Sequence, residues 1–87
     1  MRRPTFDLDV LRTFVTGVEL NSFAKAADRL GRSTSAVSAQ LKKLEEQVGS
    51  AVLGKSGRGL ALTPVGEALL SHARRLLELN DSVFSAL

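Results

Sequence analysis

The feature that most constrains this sequence is a pair of helical patterns separated by only about three residues. The inner face of the first pattern is Phe23, Ala26, Ala27 and Leu30, and Gly31 ends it. The hydroxyl side chains of 33–35 then offer caps for a second helix, which Gly49 ends; its buried stripe is Ala36, Val37, Leu41, Leu44 and Val48. Two helices joined by so short a glycine turn predict a helix-turn-helix.

Further elements flank this pair. Another helical pattern comes before the pair and ends near Asn21, and either Asp7 or Asp9 can cap its start. The apolar positions of this helix are Leu8, Leu11, Phe14, Val15 and Val18. After the pair, the short apolar runs 51–53 and 60–62 flank a glycine-rich basic loop, which is typical of a β-hairpin. Thr63 and Pro64 are a favoured N-cap and first helical residue, so a long fourth helix is predicted from Pro64 nearly to Leu87.

This order predicts a mainly α-helical fold. It is a winged helix-turn-helix, with a three-helix core and a small β-hairpin wing, followed by a long linker helix. We assign residues 1–63 to the winged helix-turn-helix and 64–87 to the linker and dimerisation helix. The sequence stops inside the predicted fourth helix, which favours an excised domain over a natural short form.

Composition narrows the class of partner. Residues 25–58 contain seven basic and three acidic residues, a net charge of +4, whereas the rest of the chain sums to −1. A basic middle fits a surface directed at a polyanion, the alternative being an ordinary solvated surface. The absence of cysteine excludes disulfides and thiolate zinc sites, and the apolar runs are too short to span a bilayer. We therefore expect a cytoplasmic protein with no membrane segment.

The candidate DNA-binding residues lie outside the buried stripe of the third helix and in the hairpin loop. Short hydroxyls near the start of that helix allow close approach to base edges and phosphates, and lysines farther along bind phosphate. One α-helix fits the major groove, and a basic hairpin tip reaches the minor groove or the backbone. The predicted contacts to double-stranded DNA are Arg32, Ser33, Thr34, Ser35, Ser38, Ala39, Lys42, Lys55 and Arg58.

The apolar stripe of the predicted fourth helix is wide. A helix of about 24 residues extends about 36 Å, more than so small a domain covers, so part of it is expected to pack on a second copy. The predicted homodimer face is Leu69, Leu70, Ala73, Leu76, Leu77, Asn80, Val83 and Phe84. Some of these residues must also cover the first helix. Asn80 lies either on the dimer seam or, as the alternative, partly exposed near a fraying end.

These motifs resemble the LysR-type family of bacterial transcriptional regulators over residues 7–87. The similarity rests on Ser-Phe-x-x-Ala-Ala at 22–27, Ser-Ala-Val-Ser at 35–38, Leu-Glu at 44–45 and Leu-Thr-x-x-Gly at 62–66. The resemblance implies sequence-specific DNA binding in transcription regulation and a homodimer in which the fourth helices run antiparallel. It also implies that an effector ligand binds only to a C-terminal domain absent from this chain.

Two departures from the family pattern bear on how DNA is recognised. Ser33-Thr34-Ser35 and Ala39 stand where the family often has a glutamine and a basic residue, so we expect DNA shape to matter more than bidentate base contacts. In the wing, Lys55 stands where the family usually has arginine, while Arg58 keeps its expected place.

Other classes of function have weaker support. Residues 49–56 match the phosphate-binding pattern G-x-x-x-x-G-K-S, but a helix precedes the motif and a glycine-rich segment follows it, the reverse of what a P-loop requires. The single histidine, His72, lacks a catalytic partner at a telling spacing, and Glu45 and Glu46 are predicted to form a solvated edge near Lys42. We expect no catalysis, metal or cofactor. A non-catalytic dimerisation or adaptor module remains the alternative, and RNA binding is disfavoured because Tyr and Trp are absent.

Overall fold

A computed structural model of the chain describes residues 4–55 and 59–87. Within these ranges the predicted order of elements is confirmed. The elements are α1 (Leu8–Glu19), α2 (Phe23–Leu30), α3 (Thr34–Val48), β1 (Leu53–Gly54), β2 (Ala61–Leu62) and α4 (Pro64–Ala86).

Each helix begins at a side-chain oxygen that accepts a hydrogen bond from a backbone N–H of the first turn. The four N-caps are Asp7, Ser22, Ser33 and Thr63. At their C-termini, α2 and α3 are followed by Gly31 and Gly49 in the left-handed conformation, at φ 67° and 82°. The capping residues expected from the sequence therefore set the helix boundaries.

Helix α1 lies at the centre of the fold and packs against α2, α3 and α4. Because it has neighbours on three sides, it buries more than one stripe: Leu11 and Phe14 are fully buried as predicted, and so are Val10 and Thr13, which the helical spacing did not single out. Leu8, predicted to be buried, is 38% exposed because it is the first residue of the helix, where the neighbouring helices no longer cover it.

Helices α1 and α4 run antiparallel. Arg12 forms an ion pair with Asp81 at 2.7 Å, and Glu19, two turns farther along α1, lies 3.9 Å from Arg74, seven residues earlier in α4. The α4 side chains buried in the core beside α1 are Ala73 and Leu77. In the part of the chain that the structure describes, no helix combines the length and apolar character needed to cross a membrane.

The wing is shorter than the apolar runs suggested. Its ladder has two pairs, Leu53↔Leu62 and Gly54↔Ala61. Val52 was expected in the strand but is instead fully buried in the core. At the base of the wing, Thr63 N donates to the carbonyl of Val52 and Thr63 Oγ1 to the carbonyl of Ala51, at 3.1 and 2.7 Å. These bonds fasten the wing to the first turn of α4.

Close packing of α4 against the wing base depends on Gly66. A Cβ at this position would collide with the carbonyl oxygen of Val52. The glycine of the Leu-Thr-x-x-Gly motif therefore allows the backbones of the helix and of the wing base to touch.

Candidate nucleic-acid interface

The turn between α2 and α3 is closed by backbone hydrogen bonds. Gly31 N and Arg32 N donate to the carbonyls of Asp28 and Ala27, at 3.3 and 2.8 Å, which satisfies the last carbonyls of α2. Ala26 and Ala27 are buried, and their small side chains allow α2 to pack closely in the helix-turn-helix. The turn therefore fixes the position of the first residues of α3.

Helix α3 has one buried and one exposed side. Val37 and Leu44 are buried, while the adjacent Ser38 is exposed, as a step of about 100° along a helix requires. The candidate contacts on this helix are all exposed: Thr34, Ser35, Ser38, Ala39 and Lys42. The structure thus brings hydroxyl, methyl and ammonium groups together on one accessible surface, which we call the α3 face.

Two candidate residues before α3 already have partners within the chain. Ser33 Oγ accepts from Ala36 N at 3.1 Å and lies 3.2 Å from Ser35 Oγ. The guanidinium of Arg32 lies 3.8 Å from the Asp9 carboxylate, a long and exposed pair of little energetic weight. Arg32 can therefore leave Asp9 for a phosphate at little cost, whereas Ser33 is needed where it is as the cap.

The wing supplies Lys55, which is exposed directly after β1. Arg58, the other predicted wing contact, lies outside the described residues, as do Ser56 and Gly57. The P-loop interpretation is wrong, because the glycine at 49 caps the end of α3 and the motif then runs into β1 rather than from a strand into a helix.

Three side chains that join the interface elements were not found from the sequence. Glu45, predicted to be solvated, is half-buried, and its Oε2 accepts from Val52 N at 2.8 Å, which links the end of α3 to the wing. Asn21 Oδ1 accepts from Leu60 N at 3.2 Å. Each joins two different elements of the fold, so the periodicity within one helix or strand carries no signal for it.

The third such side chain, Thr13, links α1 to α3. It is fully buried, and its Oγ1 lies 2.8 Å from Gln40 Oε1 and 3.1 Å from the carbonyl oxygen of Asp9. A hydroxyl has one proton, so it donates to one of these oxygens at a time. This polar contact ties the middle of α3 to the central helix.

The predicted dimer residues on α4 fall into two groups. Ala73 and Leu77 are 0% and 6% exposed in a single chain, and Leu69 and Leu70 pack partly buried against the same core. Ala73 and Leu77 therefore have no surface left for a second chain, which corrects their assignment to the dimer face. Periodicity marked a wide stripe but could not tell which edge of it faces the first helix.

The second group is exposed. Leu76, Val83 and Phe84 are 42%, 48% and 75% exposed, and Leu79, absent from the predicted set, is 65% exposed. We call Leu76, Leu79, Val83 and Phe84 the α4 stripe. Asn80, beside it, is half-buried and donates from Nδ2 to Asp81 Oδ1 at 3.2 Å.

The Asp81 carboxylate, near the end of α4, accepts hydrogen bonds from two side chains, Arg12 and Asn80. The hydrogen bond from Arg12, together with the one from Asn80, holds the pKa of the Asp81 carboxyl below its ordinary value. The ionised form of Asp81 is thus favoured in the folded chain, where it pairs α4 with α1.

Comparison with known proteins identifies the family. The family described as bacterial regulatory helix-turn-helix protein, lysR family, matches residues 8–67. The HTH-type transcriptional regulator DgdR of Burkholderia cepacia is 41% identical over 83 residues, which cover 95% of this chain and 28% of that regulator. This chain spans about a quarter of the length of the curated relatives it matches.

Two solved DNA complexes are similar over nearly the whole chain. The BenM DBD bound to catB site 1 DNA has a TM-score of 0.86 and 37% identity, covering 93% of this chain and 91% of that one. The CbnR DBD–DNA complex has a TM-score of 0.83 and 34% identity, covering 93% of each chain. Because the family match covers well over half of the sequence, this chain belongs to the lysR family of bacterial regulatory helix-turn-helix proteins.

Proposed function

We propose that this chain binds a specific double-stranded DNA site as the DNA-binding part of a bacterial transcriptional regulator, without catalysis of its own. The observation that carries the proposal is its similarity, over 93% of its length, to the BenM and CbnR domains in their complexes with DNA. In this proposal residues 1–63 are the DNA-binding unit and 64–87 the dimerisation helix, acting in the bacterial cytoplasm.

In the proposed complex the α3 face enters the major groove. Thr34, Ser35 and Ser38 are short and exposed, so the helix approaches base edges closely, and Lys42 neutralises phosphate. Ala39 offers only a methyl group, suited to an apolar contact such as a thymine methyl. With few long hydrogen-bonding side chains on this face, the shape of the DNA contributes to specificity.

In the proposed complex, the basic residues of the wing add a second contact to the DNA, beside that of the α3 face. Lys55 is exposed at the point where the wing leaves β1, and the sequence adds Arg58 to the same loop. We expect strong salt dependence of binding, because each neutralised phosphate releases condensed counterions. Arg58→Ala should weaken binding more than Lys25→Ala, since Lys25 is on α2 rather than in the wing.

The proposed assembly is a homodimer through α4. Leu76, Leu79 and Val83 recur at three- and four-residue spacing and are all exposed on one side of the helix, as a helix-helix seam requires. A second copy would cover them and would present two α3 helices to two half-sites. Any effector ligand would bind to the remainder of the regulator, since this chain is about a quarter of the length of its relatives.

A matched pair of charge insertions tests the proposal. Ser38→Asp adds a negative charge to the α3 face, and Ser50→Asp adds the same charge to an exposed serine just past the end of α3, whose last residue lies about 15 Å along the helix from Ser38. About two Debye lengths separate the two positions at physiological salt. Ser38→Asp should weaken binding at least about tenfold by repulsion from phosphate, while Ser50→Asp should change it little.

Sites should first be selected from random DNA and affinities then measured by fluorescence anisotropy. Enrichment of a common sequence supports a sequence-specific binder, and no enrichment favours an adaptor module. Equal affinities for Ser38→Asp and Ser50→Asp, with both proteins folded, would contradict the placement of α3 in the groove.

A further inference from the structure

We propose that Asn21 is a positioning residue for the wing: its side-chain amide holds the C-terminal arm of the wing against the α1–α2 junction before DNA is bound. The inference rests on the proposed function, in which the wing contacts DNA.

The first observation is the backbone of Asn21. In residues 4–55 and 59–87 it is the one non-glycine residue in the left-handed region, at φ 53°. Glycine adopts this conformation without a steric penalty, and asparagine tolerates it better than most residues. The turn is closed by Asn21 N donating to the carbonyl of Val18 and Ser22 N to that of Gly17, at 3.1 and 2.9 Å. The backbone of the turn is thus complete without the amide side chain.

The second observation is where that amide lies. Asn21 Oδ1 accepts from Leu60 N at 3.2 Å, a contact between residues 39 positions apart. Gly59, at φ 75°, approaches so closely that a Cβ on it would be 2.9 Å from Asn21 Nδ2. The amide therefore packs against one residue of the arm and bonds the next.

This contact holds the C-terminal arm of the wing one residue beyond its ladder. The last ladder pair is Gly54↔Ala61, and Leu60 is the next residue toward the tip. A two-pair hairpin is marginal by itself, so one additional anchor has a large effect on its order. Ordering a loop at an interface costs free energy on binding, and an arm already held by Asn21 lowers that cost.

Two substitutions separate positioning from turn formation. Asn21→Gly keeps the left-handed backbone and removes the amide, whereas Asn21→Asp keeps an acceptor oxygen and tolerates the same backbone. Hydrogen exchange of the Leu60 amide, measured by NMR on the free protein, reports the contact directly. We expect Asn21→Gly to accelerate that exchange by about tenfold, with core amides of α1 and the Tm nearly unchanged, and Asn21→Asp to retain protection.

The effect on DNA is tested in a double-mutant cycle. Asn21→Gly should weaken binding about threefold to tenfold in the wild-type background and leave it unchanged when Lys55→Ala and Arg58→Ala have removed the basic side chains of the wing. An equal loss in both backgrounds would overturn the proposal, since Asn21 would then act independently of the wing. Unchanged exchange at Leu60 would overturn it as well. If wild-type protein failed to bind any DNA, the proposed function would fail, while the exchange result would still report whether Asn21 holds the arm.

Discussion

Leu79 provides the sharpest test of how this domain assembles. It is 65% exposed in a single chain, and two residues earlier on the same helix Leu77 is 6% exposed. Glutamate at these two positions should therefore have opposite consequences. Leu79→Glu should fold as wild type and fail to dimerise, whereas Leu77→Glu should unfold, because it places an unpaired charge in the core.

The magnitude follows from the exposed fraction. Complete burial of a leucine side chain contributes about 1.5–3 kcal/mol, so covering the exposed 65% contributes about 1–2 kcal/mol per chain. A symmetric dimer loses this twice, about 2–4 kcal/mol, which weakens the dimer roughly 30-fold to 700-fold before any repulsion between the two glutamates. A dimer with a micromolar Kd would then be monomeric at ordinary working concentrations.

Sedimentation velocity over a range of concentrations gives the dimer Kd, and circular dichroism checks the fold. Ser71→Glu is the matched control, since it adds the same exposed charge to α4 at a position about 80° around the helix from Leu79 and about 120–140° from the other residues of the α4 stripe. On DNA, Leu79→Glu should lose far more affinity for a full site than for one half-site. A Leu79→Glu protein with the wild-type dimer Kd would refute the assignment of the α4 stripe as the seam.

Two further predictions concern the contacts that hold α1 to its neighbours. Thr13→Val keeps the buried volume and removes the hydroxyl bonded to Gln40, so the free energy of unfolding should fall by about 1–2 kcal/mol, or roughly 5–10 °C in Tm. The control Thr16→Val, on the same helix, should change it by no more than about 0.5 kcal/mol. Equal Tm values for the two variants would contradict the buried hydrogen bond. Because the pKa of Asp81 is lowered in the folded state, its pairing with Arg12 stabilises the protein at pH above 3.8 and is lost as the pH falls through the folded-state pKa. The Tm difference between wild type and Asp81→Asn should accordingly be present at pH 7 and vanish in strong acid; a difference that persisted there would exclude the ion pair as its source.

Local signals in the sequence were sufficient for the helix boundaries. A hydroxyl or carboxylate before an apolar stripe, and a glycine after it, act within one turn, so Ser33, Thr63 and Gly31 could be assigned from the sequence alone. The exposed side of α3 followed from the same periodicity.

Contacts set by the relative placement of elements could not be predicted in this way. The bonds of Glu45 to Val52 N and of Asn21 to Leu60 N depend on where the wing lies against the helices, which no local pattern encodes. The wide stripe of α4 likewise contains two edges, and only the packing of α1 decides that Leu77 faces inward.

Helix α4 is fixed to α1 by the burial of Ala73 and Leu77 in the core, and Thr13 in α1 bonds Gln40 in α3, so α4 and α3 belong to one rigid unit. The longest dimension of the domain is 44 Å, so tilting one α4 by about 10° against its partner would sweep the far end of that domain through about 8 Å. That distance is more than two base steps of about 3.4 Å along the DNA. In a dimer joined through α4, the crossing angle of the two α4 helices would therefore set the spacing between the half-sites.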